Sequence, residues 1–226
     1  ATLSGAGYSN QAASFRYVQA RGTPGNDDVA YLHDDPDGYD ILKAWPAEAK
    51  LYGEYYQNRA LSFGNVYAYS TPGNSDLAVL VDSSGNDTFE AWPKVARLSG
   101  PGFLNQVESF RYVHAHSKAG GTDVAWLYGS DERDVLVANS RFSKLRGAGF
   151  YNRAVSFEQV YAYGGGGRDV AVLYDAVLET GITDPPSSVA VAWLHEFTKL
   201  RLRSTEPGSD ETIVNAVDRV FTGYWE

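Results

Sequence analysis

Carboxylates recur at fixed intervals along the 226 residues. Asp28, Asp76, Asp123 and Asp169 each open an Asp-[Val/Leu]-Ala-x-Leu segment after a turn-forming stretch. Asp40, Asp87 and Asp134 follow 11 or 12 residues later, and Asp34, Asp82 and Asp175 lie between, with Gly129 in the third place. Two carboxylates 4 Å apart repel by about 1 kcal/mol in water, and by more where water is excluded. A stack of them needs backbone N–H donors, a basic neighbour or a hard cation with oxygen ligands. Asp34, Asp40, Asp82, Asp87 and Asp134 are therefore candidate ligands of calcium, and the competing reading is that these residues cap their own turns.

A second pattern is aromatic. Tyr67 and Tyr69, His114 and His116, and Tyr161 and Tyr163 flank a recurrent alanine, in the place held by Gln19 and Arg21 near the N-terminus. Strand alternation points such pairs outward. An outward Tyr/His column can stack on sugars or hold a partner, and it can equally be cross-strand packing with no ligand. His114-x-His116 offers two nitrogens to a metal but no third ligand by spacing. For catalysis, the acidic stretch HDDPDGYD (33–40) reads best as turn chemistry. There is no Gly-x-Ser-x-Gly, and GGGG (164–167) lacks the Gly-Lys-[Ser/Thr] and the helix of a phosphate loop. The expectation is a non-enzymatic protein.

The elements that position these residues come from a repeat. Leu51–Arg97 recurs as 98–144; a third copy begins at 145, and an earlier one fills about 1–50. Phe15, Phe63, Phe110 and Phe157 are 48, 47 and 47 residues apart, and Asn10, Asn58, Asn105, Asn152 and Ser14, Ser62, Ser109, Ser156 keep the same steps. This is a repeat protein. Within each copy, short β-branched and aromatic runs alternate with period two between Gly, Asn, Asp and Pro clusters, so the fold class is all-β. A column of Ala20, Ala44, Ala68, Ala91, Ala115, Ala138 and Ala162 writes a half-period of 23 or 24 residues. That favours a β-solenoid like a parallel β-helix, about four 47-residue repeats with roughly two coils each, over the alternative of a β-propeller. The leucines and phenylalanines form the core, and the asparagines sit at bends, where Asn tolerates the left-handed region. Repeats occupy residues 1–175 (about 1–50, 51–97, 98–144 and 145–175). FTKLR (197–201) echoes FSKLR (142–146) at a step of 55, which implies an insertion of about eight residues, and 176–226 reads as an irregular last repeat and C-terminal cap.

Composition narrows the partners. A net charge of -9 disfavours nucleic acid, which needs clustered Lys and Arg. No run is long and apolar enough to span a membrane, and with no Cys there is no disulfide framework. The chain enters mid-motif without a leader, as a mature, trimmed or excised piece would.

SSGNDTFEA (83–91) resembles one nonapeptide of the calcium-binding RTX β-roll, Gly-Gly-x-Gly-x-Asp-x-apolar-x, although here it occurs about once per half-repeat. The A-x-L-x-G-x-G-[Tyr/Phe]-x-N-x-A-x-SF and D-[Val/Leu]-A-x-L-x-Asp-S-x-G-x-Asp segments resemble repeats of large surface or secreted proteins of planctomycete bacteria, over about residues 1–175. That resemblance implies location and architecture, and no site. The expected function is an extracellular structural or adhesive rod, stalk or filament subunit, stabilised by calcium. Its expected partners are itself, end to end, or a cell-surface glycan held by the Tyr/His ladder; a carbohydrate-binding module is the alternative, and a polysaccharide-active enzyme comes third.

Overall fold

A period of two dictates strands, because successive side chains point to opposite faces. The structure, a computed structural model, describes residues 2–5, 8–12, 14–25, 28–174, 191–203 and 212–222. Every regular element among them is a strand. The first repeat holds β1 (Thr2–Gly5), β2 (Tyr8–Gln11), β3 (Tyr17–Arg21), β4 (Val29–His33) and β5 (Ile41–Trp45). Next come β6 (Glu48–Tyr52), β7 (Gln57–Leu61), β8 (Asn65–Tyr69), β9 (Leu77–Val81) and β10 (Thr88–Ala91). They are followed by β11 (Val95–Gly100), β12 (Phe103–Glu108), β13 (Tyr112–His116), β14 (Val124–Tyr128) and β15 (Val135–Asn139). The last are β16 (Phe142–Gly147), β17 (Phe150–Val155), β18 (Gln159–Tyr163), β19 (Val170–Tyr174), β20 (Val191–Arg203) and β21 (Thr212–Thr222).

β1 and β2 form a hairpin of their own, and the other strands form one continuous hydrogen-bonded sheet. Its pairings divide into two ladders. A front ladder runs β4, β8, β12, β11, β10, β14, β18 and the first half of β20. A back ladder runs β3, β7, β6, β5, β9, β13, β17, β16, β15, β19 and the second half of β20. Within the two ladders pairing is parallel except in the hairpins β5–β6–β7, β10–β11–β12 and β15–β16–β17. This is the expected all-β solenoid, of about four turns, and not a closed barrel. Strand spacing of about 4.8 Å makes the eleven-strand back ladder roughly 48 Å long.

The repeat advances by a route that the half-period alone does not describe. In each repeat the chain crosses between ladders three times, an odd number, so equivalent strands land on opposite faces. β3, β8, β13 and β18 lie back, front, back and front. The alanines follow: Ala44 is on the back, Ala68 and Ala91 on the front, Ala115 and Ala138 on the back. Up to β19, parallel neighbours are consequently 35 or 36 residues apart in one set (Leu77 beside Tyr112, Thr88 beside Val124) and 39 or 40 in the other (Asn65 beside Leu104, Tyr17 beside Gln57).

Inward positions of both ladders meet in a single core that includes Leu51, Leu98, Leu145, Ala44, Ala91 and Ala138. In the parallel pairs a large inward residue lies beside a small one, as Leu42 beside Ala78, Ala44 beside Leu80 and Ala91 beside Leu127, which suits close packing. The phenylalanine series fills corners where the chain passes from one ladder to the other. Ahead of each corner, Ser14, Ser62, Ser109 and Ser156 have φ of 58° to 64°. The left-handed position therefore falls to Ser and not to Asn as expected. Asn105 and Asn152 sit inside strands, buried, and donate from Nδ2 to the carbonyls of Trp45 (3.1 Å) and Trp92 (2.9 Å) in Trp-Pro turns two repeats earlier. An interior amide can be tolerated there because it satisfies a turn carbonyl.

Phe197 repeats the corner. Glu196 before it has φ of 60°, and β20 pairs in parallel with β18 and then with β19, as β12–β13 do with β8 and β9. It therefore stands in the place of Phe157, 40 residues earlier, and the likeness of FTKLR to FSKLR misleads. One long strand thus lies across the ends of both ladders, and β21 pairs antiparallel along it. Residues 175–190 of the expected insertion lie outside the described residues.

Candidate functional site

Each turn that carries an Asp pair is covered by the turn of a neighbouring level. The outcome is two groups of three carboxylates, Asp34–Asp40–Asp76 and Asp82–Asp87–Asp123, whose nearest ligand oxygens all lie within 4.8 Å of one another. Both groups can hold a metal ion. Four of the residues predicted from sequence are in them. Asp76 and Asp123 were not among those predicted, although the Asp-[Val/Leu]-Ala series contains them. The signal was the stacking step: Asp40 to Asp76 and Asp87 to Asp123 are 36 residues, a spacing that the 47-residue repeat hides. Among the described residues Asp134 joins no such trio: Gly129 occupies the third position, and the Asp134 amide donates to Asp169.

Turn capping and a cation are not exclusive, because each carboxylate has two oxygens. Asp87 accepts the Ser83 amide (2.7 Å) and the Ser83 hydroxyl, and its own N–H donates to Asp123 Oδ1 (2.7 Å). Asp123 Oδ2 accepts the Ser117 hydroxyl. Asp82 Oδ2 accepts the amides of Lys118 and Ala119, both at 2.7 Å. Asp82 Oδ1 is buried and accepts nothing, in a residue only 3% exposed. A buried, unpartnered carboxylate oxygen in a triad of acids is costly unless a proton or a cation meets it. The donor set is all oxygen, which suits a hard divalent ion of the calcium class. In the other triad, Asp34 Oδ2 accepts the Thr71 amide at 2.6 Å and Oδ1 the Thr71 hydroxyl at 3.1 Å.

The electrostatics agree. Burial raises the Asp40 carboxyl to about 6, with the Asp76 charge adding to it. Burial likewise raises Asp76 and Asp87, and the charges of Asp123 and Asp82 push Asp87 further. Hydrogen bonds from Ser70 and Ser83 act in the opposite direction.

The aromatic residues predicted as one column lie on two faces. Tyr67, Tyr69, Tyr161 and Tyr163 are on the front, the two pairs separated by β12, β11, β10 and β14; His114 and His116 are on the back. Tyr161 lies between Trp126 (centroids 4.0 Å apart) and Trp193 (4.1 Å), nearly parallel to both. Tyr163 lies between Tyr128 (5.0 Å) and His195 (4.8 Å). Both ring faces are thus covered by protein, and a sugar needs a face. Tyr67 and Tyr69 each stack on one ring, Tyr31 at 5.5 Å and His33 at 4.9 Å. His114 pairs in register with Val79 and Arg153. Burial, with the Arg153 charge, lowers it to about 4, and burial with the Lys118 charge lowers His116.

No family model matches the chain, and neither a curated protein nor a solved structure matches it.

Proposed function

We propose that the chain is a structural β-solenoid segment of a secreted or cell-surface protein, a rod or stalk piece in which calcium held between repeats stiffens the stack. The observation that supports this reading is where the reactive side chains spend their bonding capacity. Asp34 reaches Thr71, Asp82 reaches Lys118 and Ala119, Asp76 and Asp123 reach the amides of Asp40 and Asp87, and the rings of β14, β18 and β20 stack on one another. Chemistry-bearing residues are used to join one level to the next, and β-solenoids commonly serve structural roles. The Asp82–Asp87–Asp123 cluster is the first place for the ion, because it holds the orphaned oxygen.

The test is thermal unfolding of chelator-stripped protein with calcium added back. A ligand bound only by the folded state stabilises by about 2.7 kcal/mol at one hundred times its dissociation constant. A rise of several degrees is expected in the parent chain and a much smaller one in Asp82→Asn. No rise at millimolar calcium, or an equal rise in Asp82→Asn, would sink the calcium assignment.

A further inference from the structure

We propose that the outward surface of the back ladder binds a linear acidic polysaccharide, whose carboxylate or sulfate groups meet a row of Lys and Arg. Along β7, β6 and β5, Arg59, Lys50 and Lys43 are successive outward neighbours in register. Val79 and His114 continue the row on β9 and β13, and Arg153 and Lys144 follow on β17 and β16. Seven strands about 4.8 Å apart make the row roughly 29 Å long. All of it lies in the middle of the stack, away from both ends of the ladder.

Charge is sorted between the two faces. At the outward positions of these seven strands Glu48 is the single acid, and Lys50 and Arg59 share it at 2.8 Å each. The front ladder from β4 to β18 presents Arg97 alone among Lys and Arg, and Arg97 is paired with Glu90 at 2.6 Å. In a chain of net charge -9 the back row is therefore a local inversion. Like charges directly opposite across strands repel, and most of this row has no carboxylate to offset it. Among the described residues Lys43 has no ion pair and Arg153 donates no hydrogen bond, its Nε being buried without a partner. A guanidinium fork and a line of ammonium groups without carboxylates are the donors that a polyanion supplies with acceptors.

The geometry also selects the polyanion. Five cations over that length give about one per 6 Å along a straight line one side chain wide, a charge spacing that suits a chain of sugar acids. Duplex nucleic acid carries a charge every 1.7 Å or so, and the acidic remainder of the chain repels it. Single strands gain affinity by stacking bases on open rings. Here the rings are covered by cations: Phe142 by Arg153 (4.4 Å) and Lys144 (5.6 Å), Tyr151 by Lys144 (5.8 Å), and Trp45 by Lys50 (5.7 Å).

The test is calorimetric titration of the full chain, in chelator so that no calcium bridges sugar to the Asp turns. The probes are an oligogalacturonate, a sulfated oligosaccharide and a neutral oligosaccharide, each long enough to span the row, and oligo-dT of matching length. At least one acidic sugar should bind, and a fourfold rise in salt should weaken it by about tenfold or more. Which of the two binds names the anionic group. Lys43→Gln combined with Lys144→Gln should weaken binding by about tenfold, while Arg97→Gln on the front leaves it unchanged. An unaltered thermal midpoint in each variant shows that the fold is kept. The proposal is overturned if neither acidic sugar binds at low salt, or if the neutral sugar or oligo-dT binds as tightly. It is also overturned if the folded double variant binds like the parent. Failure of the calcium shift leaves this inference standing, and failure of sugar binding leaves the calcium reading standing.

Discussion

The turn at Asp82 and the turn at Gly129 occupy equivalent positions one repeat apart and solve the same charge problem differently. Both keep the capped Asp, Asp87 or Asp134, whose own amide donates to Asp123 or Asp169 at 2.7 Å. At the first turn a third carboxylate enters, and the covering turn at Lys118–Ala119 gives it two amides. At the second turn the covering backbone has moved in: a Cβ on Gly129 would lie 2.1 Å from the Gly164 carbonyl oxygen and 2.6 Å from Asp134 Oδ2. The remaining pair carries an orphan as well, since Asp169 Oδ2 is buried and accepts nothing. Burial, together with the charges of Asp134 and Glu196, raises Asp169 to about 6, although the Asp134 amide bond pulls the other way. On the proposed reading one turn is neutralised by a cation and the other, below about pH 6, by a proton.

The hardest way to break that contrast is to restore the missing acid. Gly129→Asp brings a β-carbon onto a carbonyl oxygen and a third charge beside two buried carboxylates, without the amides that receive Asp82. It should destabilise by about 3 kcal/mol, and calcium should not rescue it. Calorimetry in chelator and in calcium checks both statements; a variant as stable as the parent in calcium would make the two turns interchangeable.

The calcium response should follow the triad and ignore the pair. Asp134→Asn should keep the full calcium-dependent rise in midpoint, and Asp87→Asn should lose most of it. In chelator, removing one of three crowded charges should make Asp87→Asn no more costly than Asp134→Asn. Equal calcium responses from these two variants would erase the distinction.

Much of this was legible in the sequence and some was not, for identifiable reasons. The Phe, Asn and Ser ladders gave the repeat, the Ala column gave its half-period, and period two gave the strands. Asp82 and Asp87 stood out because a Gly-rich turn precedes a β run. Asp123 did not, because spatial neighbours are 36 residues apart while the sequence repeats every 47, the difference being the hairpin strand that each repeat folds back. The split of Tyr67 and His114 onto opposite faces depends on the parity of crossings, which no local pattern records. Asn105 left the bend expected of it, which Ser109 occupies, because burial against a Trp-Pro turn, and not backbone propensity, decides where Asn sits.

pH should separate the turns next. The folded Asp169 carboxyl titrates near 6, against an ordinary value of 3.8. Between those values the folded state holds more protons than the unfolded one, so stability falls as pH rises. In chelator the contribution of Asp169 should be fully present below about pH 4 and gone above about pH 6, and Asp169→Asn should flatten that part of the curve. A denaturation midpoint that rises with pH over this window, with an unaltered slope in Asp169→Asn, would remove the proton from the second turn.

The smallest effect tests what the turns share. The Ser83 hydroxyl donates to Asp87 at 2.9 Å and the Ser130 hydroxyl donates to Asp134 at 3.0 Å, and each also accepts the amide two residues on, Gly85 or Glu132. Replacing either Ser by Ala removes equivalent bonds from a carboxylate that keeps its backbone amide donor, at about 1 kcal/mol each in chelator. Calcium should change only one of the two losses. With the ion present, Asp87 is held by a second partner and the cost of Ser83→Ala should shrink, whereas the cost of Ser130→Ala should stay as it was. Two equal losses in chelator that diverge in calcium place the difference between the turns in the third carboxylate; losses that remain equal in both conditions place it in backbone packing alone.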